Sequence, residues 1–98
     1  MTRYDVYRLR RGGYAVDCQA DLLSALNTRF VVPLLPLSDA PKPMPRLNPL
    51  FDLAGVRHVM VTQYAAALAV VDLGEVVASV QDRDTDIGNA LDMLLVGF

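Results

Sequence analysis

Hydrophobic and polar positions alternate from the start of the chain. Tyr4, Val6 and Arg8 fall on one side of an extended segment and Asp5, Tyr7 and Leu9 on the other. Tyr14, Val16 and Cys18 resume the same two-residue period after a break at Gly12-Gly13. A glycine pair supplies the positive φ of a tight turn, so "RYDVYRLRRGGYAVDCQ" predicts a β-hairpin. "DLLSALN" follows as a short loop that leaves Leu22 and Leu23 exposed or half-exposed. The continuous apolar run of "RFVVP", from Arg29 to Pro33, predicts a third, buried strand.

The pattern then changes. All six prolines (Pro33, Pro36, Pro41, Pro43, Pro45 and Pro49) lie within seventeen residues. Proline lacks a ladder donor and fixes φ, which argues against a central strand here and predicts a long, stiff excursion. Strand patterns return at "LFDL" and "VRHVMVTQ", with Ala54-Gly55 as the turn between them. "ALAVVDLG" predicts an apolar strand ended by Gly74, and "EVVASV" a helical turn.

From about Asp82 the period becomes helical. Ile87, Ala90, Leu91, Leu94, Leu95 and Phe98 recur at helical spacing, and Asp82, Asp84 and Asp86 cluster where acids favour a helix dipole. The apolar stripe centres on Ile87, Leu94 and Phe98, while Asn89, Asp92, Met93 and Val96 lie opposite. Leu94, Leu95 and Phe98 are therefore expected to pack the helix on the sheet, with Met93 and Val96 left to face a partner.

Composition narrows the class. Ninety-eight residues make one domain, and a 53% hydrophobic content argues against disorder. A net charge of −2 gives no case for direct nucleic-acid binding. The charge is uneven: Arg3, Arg8, Arg10 and Arg11 crowd the first eleven residues, whereas the segment from Asp72 onward carries −5. The longest apolar run, Ala65 to Val71, is seven residues, too short for a membrane span, and the first residues do not read as a signal peptide. Cys18 is the sole cysteine, so no internal disulfide is expected and a reducing cytoplasm is the expected compartment.

The catalytic inventory is thin. His58 sits in strand-like "VRHVMVT" with no neighbour that would make it a general base. Cys18 lies in a strand pattern without a surrounding motif and reads as a small buried residue. "DRDTDIG" begins like a calcium loop, but the sixth and twelfth positions are Ile87 and Met93 where glycine and glutamate are needed. No phosphate-cradling loop or metal-ligand cluster occurs, no cofactor is implied, and the chain is not expected to be an enzyme. The apolar strand "VRHVMV", in a chain with a small core, places His58 and Met60 near an expected homodimer interface.

Read end to end, the chain resembles the CcdB family of plasmid and chromosomal toxins. The likeness runs from Val6-Tyr7 through "VDCQADLL", "RFVVPL", "LNPLFDLAG" and "VMVTQ" to "DIGNALDMLLVGF", in the family's order and spacing. It implies a mainly β fold: an SH3-like small barrel of antiparallel strands with a C-terminal helix, assembled as a homodimer. It also implies a poison that traps DNA gyrase through its A subunit, neutralised by a CcdA-like antitoxin. The family's gyrase-contacting positions correspond to Leu22, Leu23, Asp92, Leu95, Val96, Gly97 and Phe98. The antitoxin is expected at the arginines of the first hairpin, Arg8, Arg10 and Arg11.

One departure stands out. The family usually ends in tryptophan-glycine-isoleucine, and here Val96 stands where the indole would be. Asp92 likewise replaces an amide side chain. A degenerate or retargeted dimer that binds antitoxin without poisoning gyrase is the alternative. An RNA-cleaving toxin is weaker, for want of a basic surface and an acid-base pair.

Overall fold

The computed structural model describes residues 2–98. It is mainly β, with seven antiparallel strands and one helix. Strands β1 (Asp5–Leu9) and β2 (Tyr14–Asp17) form the first hairpin, in register Val6↔Val16 and Tyr7↔Ala15. Gly12 and Gly13, at φ 101° and 82°, make its turn as the sequence requires. Strand β3 (Thr28–Pro36) follows, then a second hairpin of β4 (Leu50–Leu53) and β5 (Val56–Met60) turned by Ala54-Gly55. Strands β6 (Ala66–Ala69) and β7 (Leu73–Ser79) lead to helix α1 (Asp84–Leu95).

Connectivity forces the sheet to curl. β6 pairs with β3 and β7 with the far edge of β1, so β6-β3-β2-β1-β7 lie side by side. Five flat strands would separate the outer two by about 19 Å, at roughly 4.8 Å per step. Yet β6 and β7 are joined by only the 3-10 turn Val70–Asp72, and four virtual bonds of about 3.8 Å span at most about 15 Å. The strands therefore wrap into a half-barrel. Leu68 of β6 and Leu73 of β7 meet inside it with Tyr7, Ala15, Val31 and Leu9.

The opposite face carries the main core. Val6, Val16, Val32, Leu34, Phe51 and Met60 pack there against Ile87, Ala90 and Leu91 of α1. Both faces of the hairpin strands are thus buried at their centres, which explains why Tyr7 is as buried as Val6.

Two expectations for the strands are corrected. β3 is central and runs through Pro33 and Pro36. The N and O atoms of odd-numbered residues in β3 face the β5/β6 edge, as Leu37 N–H to Arg57 O and Val61 N–H to Pro33 O establish. Pro33 lies where β3 passes from β6 to β5, pairing with each on either side, so only its carbonyl is asked to bond. Pro36 faces the β2 edge two residues beyond Leu34, where the ladder ends at Tyr14. Neither missing donor has a place in the ladder.

The second correction is Gly74, which lies inside β7 rather than ending a strand, and "EVVASV" is extended rather than helical up to Ser79. A Cβ at position 74 would run into the backbone oxygen of Arg8. Glycine here permits the close approach of β1 and β7, whose register shifts on both sides of Tyr7.

Candidate partner-binding surface

The helix terminus corrects the expected stripe. Ile87, Ala90 and Leu91 are buried, but Leu94 is 38% exposed, Leu95 71% and Phe98 74%. Met93 is half-buried, contrary to expectation, whereas Val96 is exposed as expected. Periodicity marks a direction on a helix and says nothing of where the opposing surface ends. Here the core supports α1 only through Leu91. The last turn closes by a left-handed cap: Gly97, at φ 94°, donates its N–H to the carbonyls of Asp92 and Met93, and Val96 N–H bonds Asp92. Leu95, Val96 and Phe98 are left in water with Asp92 on the preceding turn.

A second apolar patch lies on the β2–β3 connection. The 3-10 turn Asp21–Leu23 leaves Leu22 at 92% exposure, with Leu23 and the unanticipated Leu26 about half exposed. Arg3 N–H donates to Asp21 Oδ1, and Gln81 Nε2 donates to Arg3 O. These bonds hold the patch beside the start of α1, about 18 Å of helix from the terminal residues. One chain therefore presents Leu22 and Leu23 apart from Leu95 to Phe98.

The hairpin arginines remain exposed. Arg8 lies 3.8 Å from Glu75 and over the Tyr14 ring, and Arg10 Nε donates to Val71 O at 2.6 Å. Arg11 lines a pocket of about 200 Å³ with Leu9, Leu68 and Asp72. By contrast, His58 and Met60 lie within the chain. Met60 is in the main core, and His58 is buried with Nδ1 2.8 Å from Val56 O and its ring edge-on to Tyr14. Of the strand "VRHVMV", His58 through Val61 are buried within the chain, while Val56 and Arg57 are exposed.

Beneath the hairpin sits an ion pair that the strand pattern did not reveal. Asp17 and Arg29 are both fully buried, with Arg29 Nε donating to Asp17 Oδ2 at 2.8 Å and Nη2 at 2.7 Å from the same oxygen. Asp17 Oδ1 accepts Gln19 N–H, while Arg29 Nη1, Arg29 Nη2 (beyond its ion-pair contact) and the Tyr7 hydroxyl have no hydrogen bond within the described residues. Burial raises the Tyr7 phenol above its ordinary value, and the Asp17 and Asp5 carboxylates add to the effect. Burial likewise pushes the Cys18 thiol up to about 12, with Asp17 again adding. Such a thiol is a packing residue with almost no thiolate at neutral pH. Among the described residues no group of His, Cys, Asp and Glu is placed to hold a metal ion, and no helix is long and apolar enough to cross a membrane.

The surface is thus one of exposed apolar residues and arginines on a curled sheet. The family model described as CcdB protein matches residues 3–97. The chain belongs to the CcdB family. That match includes both hairpins, the proline-rich loop and α1 to its cap. CcdB proteins are toxins of toxin–antitoxin pairs, and the half-barrel with its terminal helix is the frame on which this one carries its exposed residues.

Proposed function

We propose that the protein poisons DNA gyrase by binding its A subunit and trapping the cleavage complex. The exposed turn of Asp92, Leu95, Val96, Gly97 and Phe98 would form the contact, and Leu22 and Leu23 a second one. The observation that carries this reading is the unsupported end of α1. Four large apolar side chains beyond Leu91 are exposed, Leu95, Val96 and Phe98 by more than half and Leu94 by 38%, in a family whose terminus meets gyrase. Apolar surface of this kind is costly to leave exposed and marks a partner site. The protein acts by binding and not by catalysis, in the cytoplasm where gyrase works.

Val96 weakens the contact relative to a tryptophan, because a buried aromatic anchor often carries about 2 kcal/mol or more of an interface. Phe98 supplies an aromatic ring two positions on. The antitoxin, CcdA-like and acidic where it meets the toxin, docks on Arg8, Arg10 and Arg11. The protein forms a homodimer through sheet surface other than His58 and Met60. Val71 and Val76, exposed at the β7 side, are the apolar residues available there.

The test is growth. Expression should arrest cells that carry ordinary gyrase, and substitutions in the gyrase A subunit should restore growth. Arrest that persists in every gyrase mutant would refute the target. Charge reversal at Arg8, Arg10 and Arg11 should weaken antitoxin binding at low salt; unchanged affinity would remove the electrostatic part of the reading.

A further inference from the structure

Non-glycine residues with positive φ in the described chain are Tyr4, Ala54 and Arg46. Such backbone is strained and needs a reason. Tyr4 has one: its ring is in the core and its backbone bonds Asp17 and Val80. Ala54 has one too, since the two-residue hairpin turn needs positive φ at both positions. Arg46 is exposed and contributes nothing to the core.

Its turn is nevertheless built with care. Leu47 N–H donates to Pro45 O at 2.8 Å across Arg46 at φ 69°, a γ-turn of the strained, positive-φ kind. A buried network imposes it. Asn48 Oδ1 accepts Met44 N–H, Asn48 Nδ2 donates to Met60 O and Gln63 Oε1, and the Thr62 hydroxyl donates to Leu47 O.

The strained residue lines a pocket of about 260 Å³ with Pro49, Arg83, Asp86 and Asn89. Arg83 is preorganised there. Its Nε donates to Asp86 Oδ2 at 2.8 Å, its Nη1 to Leu50 O at 3.1 Å, and its guanidinium lies 4.5 Å from the centre of the Phe51 ring. Those contacts occupy Nε, Nη1 and one face of the guanidinium, and its Nη2 makes no hydrogen bond within the described residues. The side chains of Arg46 and Asn89 make none either.

We infer that Arg46, Arg83 and Asn89 form a binding pocket for one oxyanion, a carboxylate or a phosphate group. Two guanidinium groups and one carboxylate leave the lining at a net +1. Its free donors are all N–H groups, matched to an acceptor-only group of two or three oxygens. Asp86 aligns Arg83 and, by neutralising one charge, keeps the site from binding anions without discrimination. The pocket lies at the start of α1, at the opposite end from the terminal apolar residues. It is separable from the gyrase reading and does not depend on it.

The experiment titrates the full-length protein with inorganic phosphate and, separately, with succinate, each against sodium chloride of matched ionic strength. The readout is the NMR shifts of the Asn89 side-chain amide, the Arg83 Nε–H and the Leu47 N–H. Saturable shifts with either probe are expected, phosphate alone, succinate alone or both telling which oxyanion the pocket accepts. Arg46→Gln and Arg46→Gly should abolish saturation while leaving shifts in β1 and β2 unchanged. Arg46→Gly should also raise Tm by about 4 °C, because it relieves the strained backbone. No saturation with either probe, or saturation that survives in Arg46→Gln, overturns the inference.

Discussion

Removing the Asp17 carboxylate should strongly destabilise the protein. In Asp17→Ala, Arg29 stays fully buried and loses the contacts at 2.8 and 2.7 Å from Nε and Nη2. Its Nη1 already lacks a bond within the chain, so no nitrogen of that guanidinium would keep a partner. Breaking a buried ion pair from one side costs about 3–5 kcal/mol, and the Gln19 N–H orphaned from Oδ1 adds about 1 kcal/mol. A chain of this length holds roughly 5–15 kcal/mol of stability in total, so the variant should lose a large part of it and about 15 °C or more of Tm. Replacing both partners by apolar residues, Asp17→Leu with Arg29→Met, removes the unpaired charge and should recover most of the loss. Urea unfolding followed by circular dichroism, at one protein concentration, measures all three. An Asp17→Ala cost below about 1 kcal/mol, or a double variant no better than the single one, would refute the reasoning.

Gly74→Ala should push β7 off the Arg8 carbonyl and cost about 1–3 kcal/mol, seen as faster hydrogen exchange in β7; unchanged exchange would mean that the strands can give way cheaply. Gly97→Ala removes the residue suited to the left-handed cap and should cost about 1 kcal/mol, measured as a fall of several degrees in Tm. Cys18 should resist a thiol reagent at pH 8 and react freely in urea. Its folded pKa, about 12, lies above the unfolded value. Its contribution to stability is therefore complete below about pH 8.5 and should fall by about 1.4 kcal/mol per unit between there and pH 12. A pH-independent stability over that window would contradict the burial argument.

The hairpins were legible in the sequence because their turns are local: Gly12-Gly13 and Ala54-Gly55 need only their own backbone conformations. Gly74 was misread because a glycine after an apolar run looks the same whether it ends a strand or lets another backbone approach. Pro33 and Pro36 were misread for a related reason. Whether a missing N–H matters depends on which edge it faces: for Pro33 that is decided by β5 and β6, far along the chain, and for Pro36 by where the β2 ladder ends, at Tyr14. Asp17 and Arg29 stand twelve residues apart in strand-like segments, and nothing local shows that each is the other's partner. For the binding surface, Leu22, Leu23 and Val96 were found as exposed residues. Leu95 and Phe98 were placed in the core, because helical period cannot show that the sheet gives out at Leu91. The burial of His58 and Met60 within the chain was not visible either, because it depends on how the second hairpin folds over the core.

The exposed end of α1 is proposed as the gyrase-binding surface. Its most direct test is a DNA cleavage assay with gyrase, supercoiled plasmid and three forms of the protein: the parent, the chain ending at Leu95, and Val96→Trp. Circular dichroism would verify that each is folded. Linear DNA is expected with the parent, more with Val96→Trp, and none with the shortened chain. Equal cleavage by the parent and the shortened chain would contradict it.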